Sequence, residues 1–335
     1  GTLRMIVQPD ASVISGILRL CGRTESNVRI DHIICLSDQP DKIEDGKLYN
    51  LECLKKILPL YNYNYDYNSW YYYGNTSYVD MAFVMFPYMV LTSEYACMLS
   101  ADIKSGCITR DKEIIKMLEE RFTSYRKKSR RLVNCISNIM EQFDVVGTAV
   151  STKYSGYNLQ MEPCVMTFLD QEIIEKYLSP QMPNREYFVK ETIAYCKNLS
   201  AQNITYIFSM DGLLHFLETG TIRELSPDIY IRPALEDRVK IIERILHPEG
   251  GQKVKILKQK IGHPETDVNI LVTSEHGLLR VAVPAKNIFL DMILEESGVL
   301  YSFYDFCENL GNVMFYGQEE AERLVLEHAK MLQCE

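Results

Sequence analysis

No C-x-x-C occurs anywhere in the 335 residues, and the ten cysteines are scattered. Zinc sites bring their ligands in closely spaced pairs, so a structural zinc is not expected. The six histidines (His32, His215, His247, His263, His276 and His328) have no metal-ligand spacing either. There is no G-x-x-x-x-G-K-[ST] to cradle a nucleotide and no G-x-G-x-x-G after a strand. H-E-x-x-H and G-x-S-x-G are missing too, so no metal, cofactor or catalytic residue is expected. Apolar runs such as 81–91 are short and broken by Pro87, which argues against a membrane span. No signal peptide is evident. Positive charge is scarce: 36 Lys and Arg face 45 Asp and Glu, for a net charge of −9. An acidic surface repels phosphate backbones, so this chain alone is not expected to bind nucleic acid. The cysteines have apolar neighbours (Ile34-Cys35-Leu36, Ala96-Cys97-Met98), which fits buried thiols in a reducing cytoplasm.

What is present is an ordinary globular balance, long enough for two domains. Strands are expected over 3–8, 28–36, 81–91 and 95–101, with helices over 11–21 and 51–58, the latter capped by Asn50. One long helix is expected over 111–142, and an inter-domain connection over 145–163, where Gly147, Gly156 and Pro163 fall. Beyond it come a strand over 164–169, helices over 170–178, 185–199, 210–218 and 235–246, and a strand over 204–208. Strands over 253–258, 268–273, 278–283 and 288–294 follow, then helices over 298–310 and 318–332. Gly220 is placed for a left-handed cap. The fold class is thus mixed α/β: two mixed-sheet domains with packed helices, 1–150 and 151–335. Val90 to Met98 weakly echoes Leu271 to Leu279, as two copies of one module or two unrelated hairpins would.

Few stretches carry chemistry. Tyr61, Tyr63, Tyr65 and Tyr67 alternate with Asn or Asp, and Trp70 and Tyr72 follow. The tract reads as a surface loop or edge strand, or as aromatic rings that stack on a sugar, base or partner. Trp70 and Tyr72 are the candidate ligand-binding residues there. Arg223, Arg232 and Arg238 could converge on an anion, with Glu218, Glu224, Glu236 and Asp237 as competing partners; Arg223 and Arg232 are the candidates from this stretch. Arg121, Arg126, Lys127, Lys128, Arg130 and Arg131 form the strongest basic cluster, read first as a solvated helix face. His32, in a strand beside Ile33, reads as a satisfied, half-buried residue. His328-Ala329-Lys330 is the one H-x-K, but phosphodiesterases of the phospholipase-D type need an Asp beyond it where Glu335 stands.

Three stretches carry a resemblance: Tyr88 to Glu94 leading to Ser100 to Gly106, Glu218 to Leu225, and Val299 to Leu310 followed by Tyr316 to Ala321. Through them the chain resembles the C-terminal portion of helix-turn-helix transcription regulators of anaerobic Firmicutes. The resemblance implies an effector-sensing or dimerising region and supplies no site residues. The opening Gly1-Thr2-Leu3, without Met, reads as a tag-cleavage scar with a DNA-binding domain missing ahead of it. The expected partners are a second copy of the chain, a small-molecule effector, and DNA through the missing domain only. The alternative is an enzyme with a dispersed active site acting on a nucleotide or sugar phosphate.

Overall fold

Arg29–Leu36 ends in a continuous apolar run, Ile33–Leu36, that is buried throughout, as a strand covered on both faces of a parallel sheet must be. It is β2, and it lies between β1 (Thr2–Ile6) and β5 (Asp66–Tyr73), parallel to both. The structure is a computed structural model. It describes the chain except for residues 10–13, 15, 17–27, 38–42, 45–46, 63–65, 75–84, 137–154, 183, 223–228, 249, 251, 262–267, 284–287 and 335. The helix expected over 11–21 therefore lies almost wholly outside the described residues.

The chain divides into two units. Unit 1 is Gly1–Asn134, Val283–Asn287 and Leu294–Ser302; unit 2 is Cys135–Ala282, Ile288–Ile293 and Phe303–Glu335. The main division thus falls at Asn134–Cys135 rather than near residue 150, and unit 1 takes two later segments that a single cut cannot assign.

Unit 1 adds a two-residue hairpin, β3 (Ile43–Glu44) and β4 (Lys47–Leu48), helix α1 (Tyr49–Ile57), and strands β6 (Tyr88–Leu91), β7 (Ala96–Leu99) and β8 (Gly106–Thr109). Helix α2 (Lys112–Lys128) and strand β9 (Arg130–Arg131) follow. The sheet order is β8-β7-β6-β1-β2-β5-β9. Register aligns Ile6, Ile33 and Trp70 in one row, under Ile115, Leu118 and Phe122 of α2. Those three positions recur at helical spacing, and Asp111 starts the helix by accepting from the Glu113 and Ile114 amides. The helix does not run to 142. Ser129 turns extended, and Arg130 and Arg131 pair with Tyr71 and Trp70, because the edge of β5 offers them a ladder. The basic cluster is accordingly divided between the end of a helix and a strand.

Unit 2 has strands β10 (Asn134–Ile136), β11 (Ser155–Leu159), β12 (Asn203–Ser209), β13 (Lys253–Leu257), β14 (Val268–Thr273), β15 (Gly277–Val283) and β16 (Ile288–Leu294). Their order is β10-β16-β15-β14-β11-β12-β13. The helices are α3 (Gln171–Tyr177), α4 (Arg185–Ser200), α5 (Met210–Thr219), α6 (Leu235–Leu246), α7 (Ser297–Glu308), whose residues up to Ser302 belong to unit 1, and α8 (Gln318–Cys334). Two expectations are corrected here. Ser155–Leu159, read as part of a connection, is a strand between β12 and β14. Residues 164–169, read as a strand, hold a buried 3-10 turn over Met166–Phe168. Gly220 does end α5 in the left-handed region, at φ 66°.

Six strands correspond between the two sheets: β8-β7-β6-β1-β2-β5 matches β16-β15-β14-β11-β12-β13. In both, three parallel strands meet an antiparallel neighbour at the same position. The echoing segments are the same hairpin in each copy. Thr92 Oγ1 accepts from the Glu94 and Tyr95 amides, and Thr273 Oγ1 accepts from the Glu275 and His276 amides. Each threonine N–H also donates to the carbonyl three residues on, at 2.9 Å in both.

Candidate functional site

Unit 2 holds a cleft of about 550 Å³ beside the N-terminal ends of β12 and β13. The 3-10 turn forms one wall, held in place by Phe168 packing on Tyr206 at 5.4 Å between ring centres. Ser200 and Ala201, at the end of α4, form a second wall, and Arg244 and His247, on the last turn of α6, form a third. Gly250 and Gln252, on the approach to β13, complete the lining.

Two polar groups in this lining have no hydrogen-bond partner: the Thr167 hydroxyl and the Gln252 side-chain nitrogen. Thr167 is 7% exposed and Gln252 8%. Leaving a buried polar group unpaired costs about 1–3 kcal/mol, and both atoms are sealed from solvent as well as unpartnered. The rest of the lining is satisfied. Arg244 pairs with the Asp170 carboxylate and also donates to the Phe168 carbonyl at 3.4 Å. Asp170 caps α3 by accepting from the Ile173 amide at 2.8 Å. Burial pushes its carboxyl up, but the Ile173 amide and the Arg244 guanidinium together hold it below the usual range. A second cleft, of about 630 Å³, lies between β13 and the start of α8 and has a different character: Lys253, Lys255, His247 and Tyr316 line it.

Unit 1 holds a network of buried polar groups around one carboxylate. Glu296 is 1% exposed and accepts from Asn50 (3.2 Å), Tyr73 (2.9 Å) and the Gly298 and Val299 amides (3.1 and 2.8 Å). Asn50 sits inside α1 rather than capping it, and clasps both backbone groups of Ser37. Burial and the Glu296 carboxylate push the Tyr73 phenol up to about 12, against the pull of Ser297. Deeper in the sheet, His32 is satisfied as expected but fully rather than half buried, between Val7 O and Tyr67 Oη, each 2.7 Å away. Among the described residues no cluster of His, Cys, Asp or Glu is arranged to hold a metal, and no helix is long and apolar enough to cross a membrane.

The residues singled out from sequence are not brought into the cleft. Trp70 is 3% exposed in the core of unit 1, with the Arg126 guanidinium 3.9 Å above its ring. That leaves no open face for stacking. Tyr72, half-buried on the same strand, packs 5.4 Å from Tyr125, and burial raises its phenol strongly. Arg223 lies outside the described residues. Arg232 is exposed, while Arg238 donates to the Leu217, Glu218 and Pro233 carbonyls, closing the end of α5 instead of meeting an anion. His328 of the H-x-K pairs with Glu218 at 2.7 Å. Thr167, Asp170, Arg244 and Gln252 escaped sequence reading because no motif marks them. Only a hydroxyl and an amide left unpaired by the fold reveal them.

No protein-family model matches the chain, and no curated protein matches it. A solved structure of phosphatidylserine synthase from Haemophilus influenzae Rd KW20 is similar at a TM-score of 0.26 and 10% identity, over 99% of this chain and 88% of that one. The expectation of a transcription regulator's effector region is set aside, since none of these comparisons supports it. At that TM-score the likeness carries no further argument.

Proposed function

We propose that the chain is a small-molecule-binding protein whose site is the 550 Å³ cleft of unit 2. The observation that carries this reading is the cleft itself, whose walls bring the polar side chains of Asp170, Ser200, Arg244, His247 and Gln252 around one space. The volume supports it, being within the roughly 300–1,000 Å³ of small-molecule sites. So do its walls, which include the ends of two helices and a packed turn. A reducing, cytoplasmic setting belongs to the same reading, supported by the absence of a disulfide among the described cysteines.

The test is an NMR fragment screen on the full chain with the threonine methyls and glutamine side-chain amides labelled. Small polar fragments are expected to shift the signals of Thr167 and Gln252 together. If no fragment moves either signal while fragments do bind elsewhere, the reading is wrong.

A further inference from the structure

We propose that the outer edge of β13 in unit 2 receives an extended peptide from a partner protein, one in which acidic and apolar residues alternate. Three observations carry this.

The first is an edge that is only half covered. β13 is the outermost strand of its sheet. Its C-terminal half is met by the segment that follows the 3-10 turn Asn312–Met314: Leu257 pairs with Phe315, and the Ile256 carbonyl accepts from the Tyr316 amide at 2.8 Å. That segment then leaves the edge, because α8 begins at Gln318. Had it run on, its next residues would have faced Val254; in their place is the 630 Å³ cleft between β13 and the start of α8. Backbone groups point the same way at every second residue of a strand, so Val254, like Ile256, turns its N–H and C=O outward. No described residue bonds the Val254 groups on that side. Unpaired edge groups of this kind supply the affinity in β-strand addition.

The second is the sorting of side chains along the edge. Register sets Val254 beside Tyr206 and Ile256 beside Phe208, and sets Lys253 and Lys255 beside Thr205 and Ile207. Tyr206 and Phe208 lie in one core with residues of α5 and α6, so Val254 and Ile256 share that face and the two lysines take the other. Tyr316 and Ala321 extend the apolar side of the cleft. A strand added here has the same two-residue period. On one face its side chains meet Val254, Ile256 and Tyr316; on the other they meet two ammonium groups.

The third is charge. The chain carries a net −9, yet the described lining of this cleft includes Lys253, Lys255 and His247 and no carboxylate. Glu319 and Glu320, in the first turn of α8, lie outside that lining, and Glu322 faces His247 at 3.7 Å. Among the described residues neither lysine is ion-paired; the Lys255 ammonium rests 5.1 Å from the centre of the Phe315 ring. Lysines on an edge strand repel a second copy of that edge. The same charges that reject self-pairing favour an acidic strand.

The experiment is NMR titration of the isotope-labelled full chain with three end-capped peptides. One is Ser-Glu-Val-Glu-Val-Glu-Ser, the second has lysines for the glutamates, and the third is the first with its valine and central glutamate amides N-methylated. The acidic peptide is expected to shift the Val254 amide signal and slow its hydrogen exchange. The lysine and N-methylated peptides should bind more weakly by about tenfold or more, the one for charge and the other for lost backbone bonds. The double variant Lys253→Glu/Lys255→Glu changes side chains that point away from the core, and should reverse the order of the acidic and lysine peptides. The proposal is overturned if the N-methylated peptide binds as tightly as its parent, since charge alone would then suffice. It is also overturned if the lysine peptide binds as well as the acidic one, if no peptide shifts Val254 at millimolar concentration, or if the Val254 signal depends on protein concentration without peptide, which would give the edge to a second copy.

Discussion

Acidifying the protein from about pH 7 to about pH 5 should weaken unit 1 through a single side chain, His32. Its imidazole is enclosed on β2, with Nε2 2.7 Å from Val7 O and Nδ1 2.7 Å from Tyr67 Oη. A carbonyl can only accept, so Nε2 carries the proton and Nδ1 accepts from the phenol. A second proton on Nδ1 would break that bond and bury a charge, and burial accordingly lowers the pKa from 6.5 to about 4. Unfolding releases the ring to its ordinary value, so between those limits the unfolded chain binds more protons than the folded one. Stability therefore rises with pH across this window and levels off above 6.5. The linkage relation gives a loss of about 2 kcal/mol at pH 5 relative to pH 7, and about 3 kcal/mol near pH 4. Trp70 is the only tryptophan and is buried in the same unit, so its fluorescence during urea unfolding reports this unit directly. Other groups titrate too, which makes the informative quantity the difference between the wild type and His32→Leu. The variant should be less stable at pH 7, because the Tyr67 hydroxyl and Val7 carbonyl lose a partner, yet it should lack the extra slope below pH 6.5. Equal slopes in the two proteins would refute the assignment.

Removing the unpartnered groups should separate binding from stability. Thr167→Val keeps the shape and discards an orphaned hydroxyl, so the ligand-free protein should unfold at higher urea, by about 1 kcal/mol; a loss of that size would mean the hydroxyl is already satisfied. Gly156→Ala should cost about 3 kcal/mol, because a Cβ there would stand 2.2 Å from the Val272 carbonyl oxygen; soluble, wild-type-like protein would show that β11 and β14 can part cheaply. Asp237 is held by Lys176 (2.6 Å), Tyr177 (2.6 Å) and Lys240 (2.9 Å). These bonds, that of Lys176 first, lower its pKa far below the ordinary range, so their contribution is present at neutral pH and is lost only as pH falls below about 4. Asp237→Asn should cost about 2 kcal/mol at pH 7, and an unchanged urea midpoint would show the network to be slack.

Elements whose signals are local were legible from sequence. Helix α6 was read at both ends, since its apolar residues keep a strict helical period from Leu235 to Leu246. The hairpins at Ser93-Glu94 and Glu275-His276-Gly277 were placed because their turns interrupt apolar runs. Failures came where a tertiary partner overrides the local signal. Gly156 looked like a linker residue, yet it is glycine because two strands approach too closely there for a side chain. The basic run after Glu120 looked helical throughout, until a strand edge captured Arg130 and Arg131. Trp70 looked like a platform because an isolated tryptophan beside tyrosines has an exposed reading and a core reading, and register against Ile33 decides between them. The cleft was illegible for a stricter reason. A threonine and a glutamine become informative only when the fold denies them partners, and no sequence pattern encodes that denial.

The repeated topology sharpens the choice of site. Open α/β sheets usually bind ligands beyond the C-terminal ends of their parallel strands. In unit 1 that edge is closed by Asn50, Tyr73 and Glu296, whose bonds run to one another and to Ser37. In unit 2 the corresponding edge is closed by Ser209, whose hydroxyl and amide both donate to the Met161 carbonyl while its Oγ caps α5. Each copy has thus used the customary edge to fasten its own backbone. The cleft of unit 2 lies at the opposite edge, where β12 and β13 begin. Topology alone would direct a search to the closed edges; the open space lies at the other end of the strands, and it is by the residues around it, Thr167 and Gln252 among them, that the binding proposal stands or falls.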